Sequence, residues 1–172
     1  AMVALTSGEW REVKTVAFGE FHPFWDVKEG KVVTKTERVS YFSRVAPAEA
    51  FNRLALVEWH RRGGENAHTV VAVQDGALWI QSFIDFHCPQ AVRVIDFAHA
   101  LGYVAAVGRA IHGAESIAFQ QWYARMRRQM GCHPPQRTLS ELRLLQRQHP
   151  DHPEEQTIES AIRYLEKRLP MI

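Results

Sequence analysis

Two short apolar strands, each ending in an aspartate and joined by one helix, constrain this chain more than any other feature. Thr69-Val-Val-Ala-Val73 leads into Gln74-Asp75-Gly76-Ala77, and the helical stretch to His87 is stopped by Pro89. Val92-Arg-Val-Ile95 follows and runs into Asp96-Phe97-Ala98-His99. A strand–helix–strand unit of this length is a parallel crossover. Open α/β sheets place their ligand chemistry at the C-terminal ends of such strands. Aspartates there can hold a hard divalent cation through oxygen ligands.

The preceding residues are β-rich. Glu9–Phe21 alternates polar and apolar positions, His22–Gly30 reads as a turn, and Lys31–Val45 reads as an antiparallel partner. Ala46-Pro47-Ala48-Glu49 opens a helix that ends at Arg61-Arg62-Gly63-Gly64. After Phe97–Ile111 no strand pattern remains. Helices are expected over Gln120–Met130, from Thr138 to about His149, and from Asp151 to Leu169. The expected fold is α/β: a ribonuclease-H-like mixed sheet, antiparallel meander first and parallel strands afterwards, with an all-helical C-terminal insertion. Residues 1–113 would form the core, incomplete, and 114–172 the helical insertion packed on it.

At 172 residues the chain is long enough to bury a core. Its 21 Lys and Arg against 19 Asp and Glu allow nucleic-acid binding without arguing for it. Two cysteines make no disulfide framework, which points to a reducing cytoplasm, and no apolar run approaches a membrane span.

Each candidate site has a local explanation beside the functional one. Asp75 before Gly76 is a metal ligand at a strand end, or an Asx turn opening a helix. Asp96 and His99 are a supporting pair near the acids, or an N-cap followed by a core histidine. Trp122, Arg125, Arg127 and Arg128 are a DNA-backbone contact, or a solvated helix face. His87-Cys88 and Cys132-His133 could hold zinc, although adjacent residues rarely ligate one ion.

Trp10-Arg-Glu-Val-Lys14, then Gln74-Asp75-Gly76-Ala77-x-Trp79-Ile80, then Val94-Ile95-Asp96-Phe97-x-His99-Ala100 resemble the catalytic domain of bacterial insertion-sequence transposases of the ISKra type. These lie near the Mutator-like DDE transposases. The likeness extends to Tyr164-Leu-Glu-Lys-Arg-Leu-Pro170. It implies metal-dependent DNA strand cleavage and transfer by two Mg²⁺ (or Mn²⁺) held by two aspartates and a glutamate. Asp75 matches the second acid, and Asp96 with His99 matches an Asp/Cys-x-x-His element that supports the site. The first aspartate and the final glutamate have no counterpart, so the cofactor is expected for the complete domain only and this fragment is expected to be inactive. Transposon ends and target DNA are the implied partners, with self-association as a dimer, in a nucleoid-associated bacterial cytoplasm. The alternative reading is a non-catalytic DNA- or protein-binding transposase remnant. An unrelated α/β enzyme, in which Asp75-Gly76 is only a turn, is a third.

Overall fold

The computed structural model describes residues 2–4, 6–149 and 155–171, and they form a mixed α/β chain. Its strands are β1 (Met2–Ala4), β2 (Trp10–Glu12), β3 (Lys14–Asp26), β4 (Lys31–Arg44), β5 (Val71–Gln74) and β6 (Val92–Ile95). The helices are α1 (Ala48–Arg61), α2 (Leu78–His87), α3 (Phe97–His112), α4 (Ile117–Cys132), α5 (Pro135–Gln148) and α6 (Glu155–Glu166). The expected opening of the last helix at Asp151 lies outside the described residues. Two compact units divide the chain, Ala1–Val70 with Gln81–Gln90 and Val71–Ile80 with Ala91–Ile172. The helices α4, α5 and α6 share one unit with β5, β6 and α3: α4 and α6 pack on α3, and α5 packs on α4 and α6.

In the first unit β1 pairs antiparallel with β2, and β3 with β4. The β3–β4 hairpin is longer than the sequence suggests. Pro23 lies inside β3, opposite Thr34, because a proline fits a ribbon whose outer edge needs no amide donor. The reversal comes later, where Asp26 Oδ1 accepts the amides of Lys28 and Glu29 at 2.8 and 3.1 Å and Gly30 adopts φ 62°. The base of the ribbon packs on α1 through Phe42 against Phe51 and Phe18 against Trp59. Phe51, fully buried, also meets Phe83, whose ring lies tilted 4.3 Å from that of His87.

The second unit is built on β5 and β6, parallel and in register from Val71↔Val92 to Gln74↔Ile95. The described strands thus form three two-stranded sheets in place of the one mixed sheet expected. The apolar residues of the parallel pair are not buried on both faces. Instead Gln74 and Ile95 are buried, whereas Val71, Val73, Val92 and Val94 are exposed. The buried side belongs to a helical core in which Val104, Val107, Met126, Leu142 and Ile158 have no solvent exposure. Gly108 lets α4 approach α3, since a Cβ there would enter the ring of Trp122.

Two outcomes follow for stability. Leu142→Ala empties a fully buried site and should lower unfolding free energy by about 2–5 kcal/mol, read from denaturant midpoints. His87 buries both ring nitrogens, and among the described residues neither has a hydrogen bond of good geometry; burial pushes its pKa below the usual 6.5, with the Asn52 backbone opposing and His60 adding to the effect. The folded state therefore favours the neutral ring. Its contribution to stability is full above pH 6.5 and is lost as pH falls below that value toward the depressed folded pKa. His87→Phe should remove that part of the pH dependence between pH 7.5 and 5, measured as the same midpoint.

Candidate functional site

The parallel pairing brings Asp75 and Asp96 side by side. Register is held through Gln74↔Ile95, and the Asp96 amide donates to the Gln74 carbonyl at 2.7 Å, so the next residue of each strand leaves the sheet at the same level. Asp75 turns one carboxylate oxygen, Oδ1, onto the Ala77 amide at 2.8 Å. Asp96 caps α3, its Oδ1 accepting the His99 amide at 3.0 Å. Both local explanations of these aspartates are thus realised. They leave the second oxygen of each carboxylate without a hydrogen bond among the described residues. His99 is an exposed residue rather than a core histidine.

The turn that carries Asp75 is held by the last helix. Tyr164 donates its hydroxyl to the Asp75 carbonyl at 2.8 Å, and Arg168, one turn on, donates Nη2 to the Gly76 carbonyl at 2.8 Å. Arg168 also donates Nη1 to the Tyr164 carbonyl and lies 4.0 Å above the Tyr164 ring. On its other side Tyr164 stacks on Tyr103 at 3.9 Å, and His99 meets both rings at 5.7 Å. Gly76 has φ 85°, its amide donates to Gln74 Oε1, and a Cβ there would overlap the Arg168 side chain. Only glycine fits such a left-handed turn under a guanidinium.

Burial pushes the Tyr164 hydroxyl up to about 12, the nearby Arg168 opposing and Tyr103, Asp75 and Asp96 reinforcing. The phenol is therefore a donor throughout the physiological range, fit to hold a carbonyl and unfit to act as a base. Tyr103, Tyr164 and Arg168 were not singled out from sequence. Tyr164 and Arg168 do fall in the segment Tyr164–Pro170 to which the resemblance extends, four residues apart at the end of a helix with an apolar face, but that spacing names no partner.

The basic helix divides differently from the expectation. Trp122 is corrected from a DNA contact to a core residue: it is 7% exposed, packs against Gly108 and sits 5.7 Å from His112. Helical periodicity puts it on one face with Met126 and Gln129, both buried. Arg125 is exposed but paired with Glu141. Arg127 and Arg128 are exposed and form no ion pair among the described residues.

Asp75 and Asp96 could each give a cation one oxygen. Among the described residues no group of three or more His, Cys, Asp or Glu side chains is placed to hold a metal ion. Two carboxylates do not supply the oxygen set that a pair of Mg²⁺ ions requires. Cys88 is buried, Cys132 is exposed, and both are free thiols. No helix of the described residues is long and apolar enough to cross a membrane. No family model matches the chain, and no match was found among curated proteins or solved structures.

The Asp75–Gly76 turn gives a direct test of this geometry. Gly76→Ala imposes a left-handed backbone on alanine and a collision with Arg168, and should cost about 2 kcal/mol or more. Tyr164→Phe leaves the Asp75 carbonyl without its donor and should cost about 1–2 kcal/mol. Equilibrium denaturation of the two variants measures both.

Proposed function

We propose that this chain is part of the ribonuclease-H-like catalytic domain of an insertion-sequence DNA transposase, with Asp75 as a cation ligand and Asp96 and His99 supporting it. The observation that carries the reading is the pair of aspartates at the C-terminal ends of adjacent parallel strands. Parallel strands tip their aspartates toward the same side, and each carboxylate retains one oxygen free of hydrogen bonds to described residues. The motif order in the sequence supports the same assignment. The ligand set of the described residues stops at two acids, so this chain by itself is assigned no strand cleavage. DNA partners and Mg²⁺ or Mn²⁺ belong to the complete domain.

A second reading, DNA binding without catalysis, is favoured by one observation: Arg127 and Arg128 are exposed and unpaired among the described residues. Such cations suit a phosphate backbone.

Mn²⁺ titration followed by amide NMR tests the first reading. Paramagnetic broadening should centre on Ala77 and His99 and vanish in Asp75→Asn; broadening elsewhere, or none, would sink Asp75 as a ligand. Plasmid nicking in Mg²⁺ or Mn²⁺ should be absent, and nicking abolished by Asp75→Ala would overturn the assignment of inactivity. If the second reading holds, Arg127→Ala and Arg128→Ala should each reduce the slope of log K against log salt by about one.

A further inference from the structure

Independent of that reading, the second unit contains an apolar cavity that neither the aspartates nor the basic helix uses. Its volume is about 260 Å³, and it lies where β6 passes into α3, against the end of α4, the start of α5 and the end of α6. Ile95, Ala100, Thr138 and Leu165 line it and are each at most 6% exposed, so they form a buried floor. Val94, Phe97 and Gly131 are exposed and mark the mouth. Met130 and Met171 flank it, half-buried, and Met171 is held in place by Gln74, whose Nε2 donates to its sulfur at 2.8 Å. Protein interiors contain few voids larger than a water molecule, so a space of this size between packed elements departs from ordinary core packing.

No charged side chain lines the cavity among the described residues, and apart from the two thioethers its only polar side chain is the Thr138 hydroxyl. That hydroxyl accepts a long bond from Gln129 Nε2 at 3.5 Å and donates to nothing among the described residues. A buried hydroxyl with an unused proton is costly unless an acceptor reaches it. We propose that the cavity is a binding site for a small neutral molecule with a hydrocarbon body and a single hydrogen-bond acceptor, such as a ketone, which takes the Thr138 proton. Ligand sites between packed helices are built this way, mostly apolar with a few polar groups that set orientation. An anion would leave water for a wall that offers it one hydroxyl and no cation, which excludes phosphates and carboxylates. A dry apolar cavity of about 150 Å³ takes benzene, so this one has room for roughly ten non-hydrogen atoms. The flexible thioethers of Met130 and Met171 let the wall adjust around the ligand.

Amide NMR titration of the full chain with 2-heptanone tests this. The amides of Phe97, Ala100 and Thr138 should shift together and saturate with a dissociation constant of about 1 mM or tighter. Heptanoate, of the same length but charged, should bind about tenfold more weakly or worse. Thr138→Val keeps the volume and removes the donor; it should weaken 2-heptanone by about threefold to tenfold and leave toluene unchanged. No saturable shift with 2-heptanone, or heptanoate binding as tightly, would overturn the site. Equal weakening of both neutral ligands by Thr138→Val, or of neither, would overturn the role of the hydroxyl. Should that variant fail to fold, nuclear Overhauser contacts between the wild-type chain and 2-heptanone decide. They should join the ligand to the methyls of Ala100 and Leu165; contacts only to other residues, or none, would overturn the placement.

Discussion

The hydrogen bond from the Tyr164 hydroxyl to the Asp75 carbonyl, with that from Arg168 to the Gly76 carbonyl, fixes the one turn on which the candidate site depends. Both acceptors are backbone oxygens that the turn itself cannot satisfy, and an orphaned carbonyl at a buried strand end is costly. The donors stand four residues apart, Tyr164 in the last turn of α6 and Arg168 just beyond its end at Glu166, so the end of one helix satisfies both. Gly76 makes the approach possible, Tyr103 supports the tyrosine ring, and the raised pKa of the phenol keeps the donor proton in place. The carboxylate of Asp75 thereby keeps its direction without forming a bond to either residue.

What could be read from sequence follows the range of the forces involved. The strands ending at Gln74 and Ile95, and the helix after Asp96, were legible because apolar runs, a capping aspartate and Pro89 act locally. Asp75 and Asp96 were legible as neighbours because a parallel crossover leaves little choice. Tyr164 and Arg168 were not, because their partners lie on a distant strand end and nothing in the local pattern names them. Trp122 was misread because aromatic and basic residues crowd one segment; its phase with Met126 and Gln129, rather than its neighbours in sequence, sets its fate. His22–Gly30 was read as a turn because of Pro23, which a free ribbon edge accommodates.

The two kinds of β structure in the chain face opposite physical problems. The parallel pair solves its own by covering one face with helices and ending in aspartates that accept the amides of the turn and helix that follow. The long ribbon keeps its charged pairs on one face, which Phe24 and Val33 share, and places Thr15, Ser43, Thr34 and Thr36 among the aromatic and aliphatic residues of the other. Like-charged Glu20 and Glu37 oppose each other on the charged side, relieved by Arg38 and Lys35. Between Thr15/Ser43 and Trp25/Val32, charge is therefore confined to one face and paired there.

The Tyr164–Asp75 bond spans 89 residues of chain. During synthesis the acid-bearing strand leaves the ribosome long before the helix that supports it. At roughly 5–20 residues per second the interval is about 5 to 20 seconds. Through that time the Gly76 turn has no tyrosine or arginine to hold it, and the parallel strands have little helical cover. The nascent chain must carry its most chemically suggestive segment unsupported, and the candidate site comes into being only as the last helix arrives.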